Sequence, residues 1–315
     1  MQIHFLGTSS GCPSLSRNVA ATGVEFDTRK SWLLVDCGEG TQHQIMKSTL
    51  AAYHLSVILI THLHGDHCYG LPGLLASISM AGRKDPVHII APSKVIAFIE
   101  ATLQLTEMET GYPLVLTPWE TLAANKPIEF EQCFVTVHPL RHRVPCVGFK
   151  IVEKNVPNKL KIAELKQAGV SSGPHYNQLQ RGENVMYGGQ LLQSVDYTFP
   201  SWRPRCALIC GDNDAPELLT GVCEDIDILV HEATFTHSDL VKIGKDTGHS
   251  DAKRIAHFAA EQHIPHLALI HFSSRYHGEG MLEPLKQEAR TFFDGVLTLA
   301  HDGQVICISK AFNNG

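Results

Sequence analysis

The stretch Thr61-His62-Leu63-His64-Gly65-Asp66-His67 places three imidazoles and a carboxylate within six residues, directly behind the apolar run Ser56-Val57-Ile58-Leu59-Ile60. Neutral imidazole and ionised carboxylate are ligands for Zn2+, and also for Mn2+, iron and Co2+. On a strand running into a turn, residues two apart point the same way, so His62 and His64 can share one ion. Asp66 and His67 lie further round the turn and can face a second. Four ligands do not complete two coordination spheres, so the rest are expected where other strands end. His142 follows a strand within Pro139-Leu140-Arg141-His142-Arg143-Val144-Pro145, Asp212 follows Ala207-Leu208-Ile209-Cys210 and a glycine, and His271 ends Leu267-Ala268-Leu269-Ile270. Taken singly, each could be an ordinary polar residue at a strand end; beside the dense motif they read as ligands. A carboxylate has two oxygens with which to bridge two cations, which a neutral imidazole lacks. The expected arrangement is therefore His62, His64 and His142 on one ion, Asp66, His67 and His271 on the other, and Asp212 between them. Two ions about 3.5–4 Å apart activate a bridging water and brace the attacking and leaving oxygens of a phosphoryl centre. That chemistry is hydrolytic, and by itself leaves phosphodiester, thioester, lactone and β-lactam substrates open.

The elements that must carry these residues alternate between strand and helix. Strands are expected at Ile3 to Leu6, Ala21 to Phe26 and Ser31 to Val35, with the glycine- and hydroxyl-rich loop Gly7-Thr8-Ser9-Ser10-Gly11-Cys12-Pro13 suited to a tight turn near a ligand. Asp36 closes a strand ahead of a helix from Gln42 to Ala52, where it can either hydrogen-bond a ligating histidine or cap the helix. A buried helix starts at Leu71-Pro72, a strand runs from Pro86 to Ala91 and a helix from Val95 to Leu105. Strand pattern returns from Ile128 to Leu140. Further on come strands Cys206 to Cys210, Ile226 to His231 and Leu267 to His271. Helices are expected near Pro216, from Ala252 to Gln262 behind Gly248-His249-Ser250-Asp251, and from Leu282 to Phe293; strands Val296 to Leu299 and Gln304 to Ile308 follow. The polar end Asn313-Asn314-Gly315 reads as frayed. Two β-rich halves that end their strands in metal-type residues imply two facing sheets with helices outside, a layered α/β architecture in a single domain over 1–315.

One segment, 150–186, differs in character and reads as an insertion projecting from the core. Between 150 and 182 it carries Lys150, Lys154, Lys159, Lys161, Lys166 and Arg181 against Glu153 and Glu164, a local excess of four positive charges in a chain of net charge −6. It could equally be a solvated helical hairpin covering a sheet edge. The overall charge does not advertise a nucleic-acid protein, although affinity for phosphates depends on local lysine and arginine. Nine cysteines, an odd number without C-x-x-C pairs, suit buried reduced thiols rather than a disulfide framework. The N-terminus alternates like a strand and has no basic-then-apolar leader, and no run of about 18 apolar residues occurs, so a cytoplasmic protein without membrane spans is expected.

The H-x-H-x-D-H signature at His62 to His67 resembles the metallo-β-lactamase superfamily. Gly7-Thr8-Ser9-Ser10-Gly11-Cys12-Pro13 with Arg17-Asn18, Asp36-Cys37-Gly38-Glu39-Gly40-Thr41-Gln42, Val230-His231-Glu232-Ala233-Thr234, Gly248-His249-Ser250 and His271-Phe272-Ser273-Ser274-Arg275-Tyr276 are together similar to the motif set of the ribonuclease Z family, tRNA 3′-processing endonucleases, in its short bacterial form with the ribonuclease BN members. The segment Gly173-Pro174-His175-Tyr176-Asn177-Gln178-Leu179-Gln180-Arg181-Gly182 resembles that family's flexible arm. The resemblance implies a four-layer αββα metallo-β-lactamase sandwich with a protruding arm at 150–186 and two Zn2+ per chain, with Mn2+ or Co2+ as substitutes. It further implies precursor tRNA as substrate and a homodimer. It casts His249 as the group that meets the scissile phosphate or protonates the leaving oxygen, Glu232 as its support, and Asp66 as a ligand that also orients water. Arg17, Asn18 and Arg275 are implied as phosphate contacts, and Lys159, Lys161, Lys166, Gly173, Pro174 and Arg181 as arm contacts; Glu232 and Arg275 could instead form an internal ion pair. Two positions depart from the family pattern: Asn213-Asp214 follow Gly211-Asp212 where G-D-T is usual, and Gly148-Phe149 stands for G-Y. Other readings are a hydrolase of the same fold acting on small phosphodiesters or esters, and a metal-stabilised RNA-binding or scaffold protein.

Overall fold

The computed structural model describes residues 1–28, 31–123 and 126–313, with the backbone alone at Lys245. The chain first lays down β1 (Gln2–Gly7), β2 (Ala21–Glu25), β3 (Trp32–Val35), β4 (Leu55–Leu59), β5 (Val87–Ala91) and β6 (Leu114–Pro118). It continues with β7 (Ile128–Glu129), β8 (Cys133–Leu140) and β9 (Cys146–Glu153), makes an excursion containing β10 (Asn158–Leu160), β11 (Val185–Tyr187), β12 (Gln190–Leu192) and β13 (Thr198–Pro200), and returns as β14 (Cys206–Cys210), β15 (Ile228–Glu232), β16 (His266–Ile270), β17 (Val296–Leu299) and β18 (Val305–Cys307). Two seven-stranded sheets result, ordered β18-β1-β2-β3-β4-β5-β6 and β17-β16-β15-β14-β9-β8-β7. Each is antiparallel on one side and parallel on the other, with β3 to β6 parallel in the first and β14 to β17 in the second. Strand β18 carries the end of the chain back to the first sheet beside β1.

The central parallel strands β3, β14 and β15 are short apolar runs such as Cys-Ala-Leu-Ile-Cys and Trp-Leu-Leu-Val, buried along their whole length as strands covered on both faces must be, whereas the edge strands β6 and β17 are partly exposed. Alternate residues serve different layers. Ala207, Ile209, Val230, Ala268 and Ile270 of the second sheet meet Leu33, Val35, Val57 and Leu59 of the first in the core between the sheets. Leu208, Leu229, Leu267 and Leu269 point the other way, onto Leu240 of helix His237–Ile243, Ile255 and Phe258 of Ala252–Glu261, and Leu285 of Glu283–Arg290. Trp32, Leu34, Ile58 and Ile89 likewise pack on Ile45 of Thr41–Lys47, Leu74 and Ile78 of Leu71–Met80, and Ile99 of Ser93–Leu105. Three apolar seams thus bind four layers, the αββα sandwich.

Several boundaries differ from expectation for local reasons. The first helix stops at Lys47 because Ser48 turns extended and its hydroxyl takes over the Ile45 carbonyl and the Leu50 N–H. The strand expected from Ile128 to Leu140 is a hairpin folded at 130–132, closed by Phe130 N–H to the Cys133 carbonyl at 2.9 Å. Pro216–Leu219 is one 3-10 turn rather than a helix. Asn314 and Gly315 lie outside the described residues, but Asn313 is tied down, its N–H donating to Ser201 O at 3.0 Å and its Nδ2 to Pro200 O at 2.8 Å.

The excursion has different limits from 150–186. Residues 150–153 complete β9 within the second sheet, and Lys150 Nζ donates to the carbonyls of Val222 and Glu224, both at 2.9 Å. The separate unit runs from β10 to β13, which pair with each other as its stem, and carries its own small core of Leu165, Val170, Leu179 and Leu192. Within 158–200, Lys159, Lys161, Lys166 and Arg181 face Glu164, Glu183 and Asp196, so the net charge is only +1. Its stem adjoins Glu153 and Cys206, at the far ends of β9 and β14 from Gly148 and Cys210.

Candidate metal centre and proton donor

The carboxyl ends of β3, β4, β14, β15 and β16 all open at one end of the facing sheets, and there stand Asp36, His62, Asp212, Glu232 and His271. Ligands of open α/β sheets bind at such strand ends. Asp36 and His271 leave their strands with φ of 59° and 60°, a left-handed conformation uncommon for residues other than glycine and often kept where function needs it.

Around the first position, His64 Nδ1 is 3.1 Å from His62 Nε2 and 3.2 Å from His142 Nε2, and Asp212 Oδ2 is 3.6 Å from both His62 Nε2 and His142 Nε2. Around the second, His67 Nε2 and His271 Nε2 are 3.2 Å apart, Asp66 Oδ2 is 3.5 and 3.4 Å from them, and Asp212 Oδ1 is 3.5 and 3.3 Å from them. Donors held about 2.0–2.2 Å from a tetrahedral centre lie about 3.3–3.6 Å apart, so both sets have the edge lengths of one ligand sphere. The structure brings together all seven residues expected as ligands, with the two oxygens of Asp212 facing one set each.

Outer hydrogen bonds fix the tautomers. His142 Nδ1 donates to Gly248 O at 2.7 Å and His67 Nδ1 to Asp36 Oδ2 at 2.7 Å. Thr61 Oγ1 gives its hydrogen to Asp36 and so accepts from His62 Nδ1 at 3.0 Å; Thr234 Oγ1 gives its hydrogen to Glu232 and so accepts from His271 Nδ1 at 3.1 Å. Four rings are left with bare Nε2 lone pairs converging on two points. Such an arrangement repels itself unless cations sit there. Burial, followed by the neighbouring histidines, holds His62 and His64 below the ordinary imidazole range, in the neutral form that ligates. His67 is the opposite case: burial pulls it down, but Asp36, Asp212 and Asp66 outweigh that and raise it to about 10, so Nε2 is bare only where a cation takes the place of a proton among those carboxylates. Asp36, Asp66, Asp212 and Glu232 have only histidines as ion-pair partners among the described residues. A site this rich in acid, whose carboxylates pair with no arginine or lysine among the described residues, fits divalent cations.

Behind Asp212 lies the pair His249–Glu232. His249 Nδ1 is 3.1 Å from each oxygen of Glu232, which is 1% exposed, and 3.7 Å from Asp212 Oδ2. Burial would discharge the ring, but the Glu232 carboxylate outweighs it and lifts His249 to about 9; burial would likewise raise Glu232, but the His249 charge and hydrogen bonds hold it at about 2. The Glu232 carboxylate thus favours the charged form of His249, whose Nδ1 faces it and whose Nε2 lies on the side away from it. Gly248, at φ 72°, lets its carbonyl reach His142; an added Cβ would stand 2.8 Å from His142 Nδ1 and 3.2 Å from Arg143 N. Asp251 caps the following helix by accepting the Arg254 N–H at 2.7 Å.

Other expected contacts are placed differently. Arg17 is turned inward, donating to Thr8 Oγ1 and, at 2.8 Å, to the Ala300 carbonyl, with Phe272 5.0 Å beneath it. Asn18 spends its side-chain amide on Glu39 O at 2.9 Å and its N–H on Asp302. Both pin the loop rather than offer themselves to a phosphate, because the loop has to hold Gly11 N–H on Asp66 Oδ2 at 2.8 Å. Arg275 does not pair with Glu232; it lies 5.2 Å over the Phe235 ring and 3.8 Å from Asp239, half exposed near His249. In the excursion, Gly173 and Pro174 start helix Pro174–Gln180, Lys159 reaches toward Asn313 O, Lys161 bonds Asp196 O at 3.0 Å, and Arg181 pairs with Glu183 at 2.8 Å. Lys166 has no ion-pair partner among the described residues and is exposed. Asp36 binds His67 rather than capping the helix, whose N-cap is Gly40. Asp214 is neutralised by Arg141, and Phe149 is fully buried between the sheets, where a hydroxyl would need a partner. Sequence reasoning missed the hydroxyls of Thr61 and Thr234 and the buried His231; the threonines stand beside ligand motifs, and that adjacency was the available signal.

A family model described as "Beta-lactamase superfamily domain" matches residues 31–157. Among curated proteins, ribonuclease Z of Pseudomonas putida is 44% identical over 308 residues, covering 96% of each chain, and ribonuclease Z of Bacillus velezensis is 36% identical, covering 93% and 95%. Among solved structures, the short form of human tRNase Z aligns with a TM-score of 0.69 at 28% identity, covering 98% of this chain and all of that one. By this likeness along nearly its whole length, the chain belongs to the ribonuclease Z family, metal-dependent phosphodiester hydrolases of the metallo-β-lactamase fold.

Proposed function

We propose that the chain is a zinc-dependent endoribonuclease that hydrolyses precursor tRNA on the 3′ side of the discriminator base, removing the 3′ trailer and leaving a 3′-hydroxyl on the tRNA. The observation that carries the reading is Asp212, which faces one ligand set with each oxygen while His249–Glu232 stands directly behind it. His62, His64, His142 and Asp212 would hold one Zn2+, and Asp66, His67, His271 and Asp212 the other. Ions bound there would lower the pKa of water and polarise a phosphoryl oxygen. The protein's own part is acid catalysis and positioning. Asp66, fixed by the Gly11 N–H, orients the attacking water. As the P–O3′ bond breaks, the His249 proton passes to the ribose 3′-oxygen, and the phosphate stays on the trailer. Glu232 holds the imidazolium until that moment.

A homodimer is proposed on an apolar surface. Helix Leu71–Met80 contains no charged residue, and Tyr69, Met80, Phe98 and Leu105 stand exposed on and beside the helices of that layer. A cytoplasmic location is proposed because all nine cysteines are free thiols; no helix among the described residues is long and apolar enough to cross a membrane.

The test is a tRNA precursor with a 3′ trailer, with both product ends mapped. Cleavage after the discriminator base, giving a 3′-hydroxyl and a 5′-phosphorylated trailer, is expected. Turnover of bis(p-nitrophenyl) phosphate without any cut in the precursor would sink this reading in favour of a small-phosphodiester hydrolase, which the low charge of the 158–200 unit favours.

A further inference from the structure

Asn213, where the family usually has threonine, is fully buried, and every polar atom it has is used. Its amide orientation follows from its neighbours. His231 Nδ1 donates to Glu232 O at 2.8 Å, so the Nε2 of this neutral ring is an acceptor, 3.0 Å from Asn213 Nδ2. Asn213 Oδ1 accepts the N–H groups of Arg141 and Ala215, each at 3.2 Å. Its backbone N–H donates to Glu232 Oε1 at 2.7 Å, and its carbonyl accepts Ser250 Oγ at 2.6 Å. One residue therefore joins the loop carrying His142, the end of β15 and the loop carrying His249, while its chain neighbour is Asp212.

We propose that Asn213 is a positioning residue for proton transfer, holding Glu232 and the His249 loop in register behind the metal centre. The inference rests on the reading that His249 protonates the leaving oxygen. Glu232 Oε1 is shared between the Asn213 N–H and His249 Nδ1. Ser250, the next residue after His249, is moored on the Asn213 carbonyl. Both attachments depend on the backbone direction at 213, which the side chain fixes from opposite ends: donor to His231, acceptor from Arg141. Threonine carries donor and acceptor on a single oxygen and reaches only one of those ends. Alanine reaches neither, leaving His231 Nε2 and the Ala215 N–H buried without partners and the Arg141 N–H without its acceptor.

The test uses two leaving groups. A ribose oxygen needs a proton as it departs, whereas p-nitrophenolate leaves without one. Asn213→Ala, Asn213→Thr, His249→Ala and the Asn213→Ala/His249→Ala double variant would be assayed on precursor tRNA and on bis(p-nitrophenyl) phosphate. Zinc content would be measured by elemental analysis and folding by thermal melting. His249→Ala should lose about 10²–10⁴ in kcat on the precursor and little on the chromogenic diester. Asn213→Ala should lose about 10–100-fold in kcat on the precursor with KM little changed, keep its zinc and its diester turnover, and add nothing in the double variant. Asn213→Thr should recover part of the loss and serves if the alanine variant does not fold. Equal losses on both substrates, loss of zinc, or additive effects would overturn the proposal while leaving His249 in its role. A His249→Ala variant without leaving-group dependence would instead remove the reading beneath it.

Discussion

Asp36 belongs to neither ligand set, yet it orients ligands of both. Oδ1 accepts the Thr61 N–H at 2.8 Å, Oδ2 accepts His67 Nδ1 at 2.7 Å, and the Thr61 hydroxyl lies 3.0 and 2.9 Å from the two oxygens. Asp36→Asn keeps the shape and replaces one acceptor by a donor. With the amide oxygen kept on Thr61 N–H, the NH2 meets the His67 Nδ1–H, and the ring escapes only by moving its proton to Nε2. That proton then points at the second ligand set and takes one of its four donors away. Loss of an outer partner to a ligating histidine weakens metal binding about 10–100-fold, which at 1.4 kcal/mol per decade is about 1.4–2.8 kcal/mol. The first set keeps His62 oriented, because Thr61 can still donate to the remaining oxygen. Dialysis against graded chelator followed by elemental analysis should therefore release one equivalent from the variant at a chelator level where the wild type retains two. Turnover should fall by the same factor on precursor tRNA and on the chromogenic diester. Two equivalents held with wild-type affinity, or both released together, would refute the tautomer argument.

Gly248→Ala should lower turnover on both substrates and loosen metal, since the new Cβ collides with His142 Nδ1 and the backbone of Arg143; parallel metal and kinetic titrations check this. Arg205→Met should cost about 3–5 kcal/mol in urea unfolding at pH 7, because it strands the buried carboxylate of Glu153. Burial would raise Glu153, but the bonds from Arg205 and Trp202 hold it below the ordinary range, so its contribution is present above the usual carboxylate pKa of about 4.3 and is lost as pH falls through the folded value. Metal-free wild type and variant should thus approach each other in stability only as pH falls through that folded value, below the ordinary carboxylate range. Joining Leu160 to Thr198, which face each other across the stem, through a two-residue turn removes the rest of the 158–200 unit. The shortened chain should keep its melting temperature and its diester turnover while KM for precursor tRNA rises.

Three of the candidate metal ligands were legible because they lie at the ends of buried apolar runs, and a strand end is a place that a sequence marks well. His62, Asp212 and His271 follow Leu55–Leu59, Cys206–Cys210 and His266–Ile270 by at most three residues. Residues 150–153 at the end of β9, by contrast, read as part of the arm, because Lys150 and Glu153 read as surface charges. In the structure Lys150 is spent on two carbonyls and Glu153 is paired with Arg205, so both sit within a core strand. Arg17 and Asn18 were expected to face a phosphate; whether an arginine points out or in depends on Thr8, Ala300 and Asp302, two of them nearly 300 residues away. Partners that distant in the chain leave no mark in a local pattern. The same holds for Asn213, whose departure from the family pattern was visible while the amide's two opposed partners were not.

The position of the 158–200 unit bears on substrate size. Its stem adjoins Glu153, and the other end of that strand, Cys146, lies beside His62. The seven steps of strand from Cys146 to Glu153, at about 3.4 Å each, put about 24 Å between the candidate metal centre and the stem. A small diester at the centre would touch nothing there, whereas a folded RNA that also contacted the unit would be held at two places. Charge alone does not supply the second hold. Lys161 and Arg181 already have carboxylate partners at exposed positions, pairs worth little but enough to soften the field. Even if Lys159, Lys161, Lys166 and Arg181 all met phosphates, they would add at most about 3.6 to the slope of log affinity against log salt. A difference in slope near zero between the full and shortened chains would mean that the unit grips by shape and stacking, with Tyr176 and Tyr187 packed around His175 as its aromatic surface.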